Sequence, residues 1–196
     1  GYASQRTMLF QQLPTNGLPY PMSRWTEFEA YAEELLECGM ISVPGEIRWD
    51  VRPSPRFGTV ENRTGDAVPT LAELACVAAL TQCFAEHVSR TYSRDQTYES
   101  LPPWLVRENK WRAARYGLDA HVITPNRLRR EVPLREGLAQ WLERLTPVAR
   151  DLGCANTRFV NATGLPESTA DSDCMSSARD VAIMSRELLR YPAIHE

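Results

Sequence analysis

The chain is nearly without lysine. Of its 22 basic residues one, Lys110, carries an ammonium, and the other 21 are arginines. This excludes any chemistry that needs a second lysine. The five cysteines, Cys38, Cys76, Cys83, Cys154 and Cys174, contain no Cys-x-x-Cys pair, so a zinc ribbon or redox dithiol is not expected. Cys76 and Cys83 read instead as two buried helix residues. Free thiols of this kind suit a reducing cytoplasm. The formal net charge of −3 gives no electrostatic footprint for nucleic acid or an anionic membrane. No apolar run approaches the ~20 residues that span a bilayer. Gly1–Phe10 lacks the basic and apolar regions of a secretory signal, and Gly1 reads as the middle of a longer protein. There is no Walker-type loop and no glycine-rich dinucleotide fingerprint. His87, His121 and His195 have no metal-ligand spacing.

What remains is a chain with 43% apolar and 24% charged residues, able to build a real core. The expected class is α+β. Residues 1–22 read as loop, punctuated by Pro14, Gly17, Pro19 and Pro21. Ser23 is placed to cap a helix over 24–38 that presents Trp25, Phe28, Leu35 and Leu36. Residues 46–52 and 58–64 read as strands separated by Pro53, Ser54 and Pro55, where proline disfavours a continuing ladder. Thr70 and Glu73 have capping-box spacing before a helix to about His87, built on Leu71, Leu74, Val77, Ala78 and Leu80. Further helices are expected over 103–116 and 134–152, the latter with a kink at Pro147. A loop or small hairpin fills 118–133. Beyond Gly153 the texture turns polar, with a last amphipathic helix from Ser177 carrying Val181, Met184, Leu188 and Leu189.

The strand pair carries the chemistry. Side chains alternate along a strand, so Arg48, Asp50 and Arg52 share a face, as do Thr59, Glu61 and Arg63. The short connection favours antiparallel pairing, which puts Glu61, Arg63 and, in the right register, Arg52 on one surface. The opposite side, with Ile47, Trp49, Val51 and Val60, is expected to pack on helices such as 71–87. Carboxylates that hold a divalent cation beside guanidiniums that neutralise phosphoryl oxygens are what phosphoryl transfer needs. A solvated, salt-bridged strand pair would show the same pattern.

Three separated stretches carry a resemblance. Residues 1–10 (GYASQRTMLF), 49–66 (WDVRPSPRFGTVENRTGD) and 108–120 (ENKWRAARYGLDA) occur in order. Together they resemble the C-terminal half of ATP-dependent carboxylate–amine ligases of the glutamate–cysteine ligase type, closest to actinobacterial members. The resemblance implies a partial glutamine-synthetase-like antiparallel sheet backed by helices over residues 1–152. It also implies ATP as substrate, Mg2+ as cofactor, and glutamate with cysteine or another amine as partners. Activation of the glutamate γ-carboxylate as an acyl phosphate and displacement by the amine would give γ-glutamylcysteine. By position, Glu61 is the implied magnesium ligand and Arg52 and Arg63 the implied catalytic contacts. Arg6, Asn109, Arg112 and Arg115 are implied at the substrate. The family's early acidic strand is missing, so inactivity alone and a need for an N-terminal half are expected.

A second resemblance covers residues 155–166 (ANTRFVNATGLP) and 176–190 (SSARDVAIMSRELLR), which are similar to D-alanyl-D-alanine carboxypeptidases. That chemistry needs Ser-x-x-Lys, Ser-x-Asn and Lys-Thr-Gly. The residue three before Lys110 is Arg107, so the segment 153–196 carries no such catalytic motif. The chain therefore reads as a ligase portion followed by a carboxypeptidase-like loop-plus-helix tail, a chimera expected to pack its tail loosely. The alternatives are a peptidase fragment and a non-catalytic interaction module.

Overall fold

A computed structural model describes residues 1–94, 100–126, 128, 130–156 and 180, and the chain divides into two units. The first comprises Gly1–Asp66 and Pro102–Gly117. The expected opening loop in fact holds a short helix, α1 (Gln5–Phe10), whose N-cap Ser4 accepts from the Thr7 N–H at 3.2 Å. It also holds a two-residue strand, β1 (Asn16–Gly17). Helix α2 spans Trp25–Glu37. Its cap is Arg24 rather than Ser23, whose N–H is bonded by the Glu27 carboxylate at 2.9 Å. Phe28 and Leu35 are buried together with Ala32, while Trp25 and Leu36 stay exposed.

After α2 the chain makes two short strands, β2 (Arg48–Trp49) and β3 (Val51–Ser54), then β4 (Thr59–Asn62). β2 pairs with β1 in parallel; β3 pairs with β4 antiparallel, with Arg52 opposite Glu61 and Pro53 opposite Val60. The ladder thus continues through Pro53 and Ser54, against the expectation of a break. The Arg63 N–H donates to the Asp50 carbonyl at 2.7 Å. Because bonded and non-bonded pairs alternate, Pro53 falls in a non-bonded pair and its missing N–H costs the ladder nothing. The reversal is a 3-10 turn over Pro55–Phe57, closed by Gly58 at φ 58°, a left-handed conformation that glycine adopts without penalty.

Ile47 and Trp49 are buried as expected, but against Phe28, Ala32 and Leu35 of α2 rather than against a helix over 71–87. Trp49 stacks on Tyr31 with ring centroids 5.1 Å apart and meets Phe28 edge-on at 5.8 Å. Val51 and Val60 are exposed, not buried. Helix α4 (Pro103–Tyr116) completes this unit and has the expected bounds. Its Ala114 carbonyl accepts the Ser4 N–H at 3.0 Å. Gly117 ends it at φ +59°, with Ala3 Cβ 3.1 Å from where a side chain would begin, so a larger residue fits neither the turn nor the space.

The second unit comprises Ala67–Leu101 and Leu118–Glu196. Helix α3 runs over Leu71–Ser93, six residues past the expected end, and the Thr70–Glu73 capping box is formed on both sides. Its inward face is in part the one expected. Cys76 and Cys83 are buried as expected, together with Ala79, whereas Leu74 and Ala78 are exposed. A short antiparallel hairpin, β5 (His121–Ile123) with β6 (Glu131–Pro133), occupies the 118–133 region. Helix α5 (Leu134–Asp151) is continuous through Pro147. Leu142, Leu145, Val148 and Ala149 of α5 close on the α3 cysteines and on Cys154 to form this unit's core. Arg90 of α3 bridges Glu86 at 2.6 Å and Asp151 at 2.8 Å.

The tail helix expected from Ser177, with Val181, Met184, Leu188 and Leu189, lies outside the described residues apart from Asp180. Asp180 is 1% exposed, and its carboxylate accepts the Asn156 N–H at 2.8 Å. This contact lies within the tail itself, and the expected loose packing of the tail on the ligase-like part falls outside the described residues. Among the described residues no helix is long and apolar enough to cross a membrane.

Candidate functional site

The first unit carries the cluster that the strand pattern pointed to. Arg52 and Glu61 are directly opposed in the ladder, so their side chains leave the same face. Arg52 Nε donates to Glu61 Oε2 at 3.0 Å and Nη2 to Oε1 at 3.1 Å, a two-pronged guanidinium–carboxylate pair. The Arg52 Nη1 donates to the carbonyls of Ile47, at 2.9 Å, and Gly45. Its side chain is 13% exposed. Arg52 is therefore a clamp that joins the ribbon to the turn before β2. Arg63 Nη1 reaches Glu61 Oε2 at the longer 3.3 Å and is 27% exposed, which leaves its charge more open to a ligand. The guanidinium of Arg52 foremost holds the Glu61 carboxyl below its ordinary range; burial opposes it, and Arg63 adds a smaller lowering.

Sequence reasoning missed the residue that extends this cluster. Lys110 of α4 donates to Asp50 Oδ2 at 2.5 Å, with both side chains mostly covered. The Asp50 N–H donates to the Gly17 carbonyl at 2.7 Å, and the Asp50 carbonyl accepts the Arg63 N–H at 2.7 Å. One residue thus joins β1, the residue that follows β4, and α4. By the period of two, Asp50 shares its face with Arg52, so Lys110, Asp50, Arg63, Glu61 and Arg52 line one polar surface, with three positive charges to two negative. Two signals existed: Lys110 is the single lysine, and Asp50 shares the Arg52 face. Nothing in the spacing joined residues 60 positions apart.

The other implied residues lie on α1 and α4. Arg6 covers the Phe10 ring at 4.6 Å. Arg115 donates to the Gly1 carbonyl and sits 5.4 Å from the Tyr2 ring, tying down the chain start. Arg112 Nε bonds Glu108 one turn earlier at 2.8 Å, and Asn109 is half-buried beside Lys110. On the opposite side of the β2–β3 segment an open cleft of about 340 Å3 is walled by Tyr20, Met22, Trp25, Phe28, Trp49 and Pro53.

The donor set does not by itself fit magnesium. Both Glu61 oxygens are taken by guanidiniums, Asp50 is paired with Lys110, and among the described residues no three acidic, His or Cys side chains are grouped to hold a metal ion. Magnesium is usually bound by one or two free carboxylates with waters and phosphates.

The model of glutamate-cysteine ligase family 2 matches residues 1–165. The chain belongs to that family. A model of D-alanyl-D-alanine carboxypeptidase matches residues 137–196, so the two matches overlap across the boundary expected after residue 152. The chain is 54% identical over 154 residues to the Micrococcus luteus protein named "Putative glutamate--cysteine ligase 2", covering 79% of this chain and 38% of that one. It is 52% identical over 155 residues to "Putative glutamate--cysteine ligase 2-3" of a Nocardioides species, covering 79% of this chain and 41% of the other. A Mycobacterium tuberculosis relative named "Putative glutamate--cysteine ligase 2" is 49% identical over 156 residues, at 80% and 41% coverage. This member of the ligase family spans about two-fifths of the length of the curated relatives it matches.

Proposed function

We propose that the chain supplies one part of an ATP-dependent carboxylate–amine ligase site, of the kind that joins glutamate to cysteine as γ-glutamylcysteine. The observation that supports this is the polar face of β3 and β4, where Arg52, Glu61, Arg63, Asp50 and Lys110 meet in a chain of the ligase family. In this reading Arg63 neutralises charge on the phosphoryl oxygens of ATP and of the acyl phosphate, where positioned cations favour the transition state. Glu61 orients Arg63, and Arg52 fixes the ribbon. Arg6, Asn109, Arg112 and Arg115 shape the substrate side through α1 and α4. A magnesium ion at Glu61 would need that carboxylate freed from both guanidiniums and further oxygen ligands from outside the described residues, so no step is assigned to the ion.

The β3–β4 ribbon is then one edge of a glutamine-synthetase-like antiparallel sheet whose other strands come from the rest of the ligase fold. Residues 1–152 form the C-terminal half of that catalytic domain, and 153–196 form an appended carboxypeptidase-like segment without catalytic motifs. The workplace is the cytoplasm, with glutamate, an amine such as cysteine, and ATP as partners. The carboxypeptidase reading has no lysine to use, because the one lysine is held by Asp50.

The test is ADP release with glutamate and cysteine, by the chain alone and mixed with the N-terminal half of a close relative. The chain alone is expected to be inactive, since loss of even one transition-state contact costs about 10²–10³ in rate. The mixture is expected to turn over and to lose that turnover in Arg63→Met. Glutamate- and cysteine-dependent ADP release by the chain alone refutes the half-site reading. A mixture whose activity ignores Arg63→Met refutes the assigned role.

A further inference from the structure

We propose that Asn16, Asp50 and Lys110 form a subsite for the zwitterionic head of a free α-amino acid. Free amino acids are the substrate class of the ligase reading, on which this assignment rests, and three independent features of the first unit lead to it.

The first is the Asp50–Lys110 pair. The two charges meet at 2.5 Å, with side chains 17% and 16% exposed. An α-amino acid carries the reverse pair on one carbon, its ammonium matching Asp50 and its carboxylate matching Lys110. Without a ligand the two residues satisfy each other. The choice of lysine matters in a chain otherwise confined to arginine. An ammonium has three donors on a compact head and can serve Asp50 and an incoming carboxylate together, whereas a guanidinium fork locks flat onto one carboxylate.

The second is Asn16. Its Nδ2 and Oδ1 are both buried, and neither has a hydrogen-bond partner. Folded proteins rarely leave a buried carboxamide wholly unanswered, and such a group calls for a specific explanation. A carboxamide offers both a donor and an acceptor, so it complements either end of a zwitterion.

The third is the backbone that carries Asn16. Thr15 sits at φ 62° and Gly17 at φ 102°. The left-handed region is unfavourable for a β-branched residue, and conformations of this kind gather at ligand clamps. The carbonyls of Thr15 and Gly17 accept the N–H groups of Arg48 at 3.0 Å and Asp50 at 2.7 Å. The turn that hides Asn16 is therefore bonded directly to the residue that holds Lys110. Asn16 precedes the residue whose carbonyl holds the Asp50 N–H, so in this proposal an amino acid bound at the two charges displaces the turn and engages the carboxamide.

The experiment is calorimetric titration of the full chain with L-glutamate, L-cysteine, 4-aminobutyrate, glutarate and inorganic phosphate. 4-Aminobutyrate lacks the α-carboxylate of glutamate, and glutarate lacks its ammonium. Saturable binding of L-glutamate or L-cysteine is expected, with 4-aminobutyrate and glutarate at least tenfold weaker. Asn16→Leu fills a similar volume without polar atoms. It is expected to keep or raise the melting temperature while weakening amino-acid binding at least tenfold. Lys110→Arg keeps the ion pair and is expected to weaken binding similarly. A residue that served packing alone would leave the affinities unchanged. Absence of saturable amino-acid binding overturns the proposal. So does equal affinity for glutarate or 4-aminobutyrate, or affinity untouched by Asn16→Leu and Lys110→Arg in chains that keep their melting temperature. Saturable phosphate binding that Lys110→Arg alters, without amino-acid binding, assigns the ammonium to phosphate and also overturns it. The ligase reading stands or falls separately, on ADP release by the complemented chain.

Discussion

Replacing Arg52 with methionine keeps most of the apolar stem and deletes the fork. Four hydrogen bonds go with it: two to Glu61, at 3.0 and 3.1 Å, and two to the carbonyls of Ile47 and Gly45. An exposed ion pair would contribute about 0–1 kcal/mol. Arg52 is only 13% exposed, and hydrogen bonds to charged groups contribute roughly 1.5–3 kcal/mol in such settings. Glu61, 35% exposed, recovers part of this by turning to water and to Arg63. The Ile47 carbonyl, attached to a residue 1% exposed, recovers less. The expected net cost is about 2–3 kcal/mol. With a urea slope of about 2 kcal/mol/M, the midpoint falls by about 1–1.5 M. Trp49, buried against α2 in the same unit, reports the transition by fluorescence. Arg52→Lys should recover less than half, because an ammonium cannot reach both Glu61 oxygens and two carbonyls together. A shift below about 0.3 M for Arg52→Met would show that the clamp behaves as a surface ion pair and that β3 is held by other contacts.

Three further outcomes are expected. The Glu61 carboxyl is held below its ordinary range by Arg52 and Arg63. The stability it contributes is therefore full above the ordinary value of about 4.3 and is lost as pH falls through the lower folded value; Glu61→Gln should flatten that acid limb in pH-dependent melting, and an unchanged limb would discount the cluster. Cys83 is fully buried with its thiol pushed up to about 12 by burial, while Cys38 is exposed. Maleimide at pH 7.5 should modify Cys38 in minutes and Cys83 only on unfolding, read by peptide mass; early modification of Cys83 would contradict the α3–α5 packing. Leu145 is 0% exposed in that core, and Leu145→Ala should cost about 2–5 kcal/mol, seen as a lower melting temperature.

The sequence was most legible where the signals are local. The Thr70–Glu73 box, the bounds of α4 and the shared face of Glu61 and Arg63 follow from local spacing, whereas spacing leaves open the register that sets Arg52 opposite Glu61. Period alone did not say which helix would cover Ile47 and Trp49, because alternation names the inward residues and not their partner. On α3, which is apolar around much of its circumference, Cys76 and Cys83 were legible as buried, but Leu74 and Ala78 were named beside them. There α5 decides, and Cys76, Ala79 and Cys83 face it while Leu74 stays exposed. Pro53 was misjudged because a proline objects only to a bonded pair, and the pairing phase comes from Asp50 and Arg63 further along the ladder. Asn16 left no local trace, and the Asp50–Lys110 pair left only the single lysine and the face that Asp50 shares with Arg52. Each depends on a contact between segments more than 30 residues apart in the chain.

The first unit is not a continuous stretch: it resumes at Pro102 after Asp66. Helix α4 brings Ala114 to the Ser4 N–H, Lys110 to Asp50 and Arg115 to Gly1. During synthesis, then, residues 1–66 leave the ribosome about 50 residues before the last of α4. At roughly 5–20 residues per second this is an interval of about 3–10 s. Through it the Asp50 carboxylate waits without Lys110 and the Ser4 N–H without Ala114, and helix α3 of the other unit is made first. A slow codon tract between residues 67 and 101 would lengthen that wait, and an insertion there would lengthen it in proportion to its length.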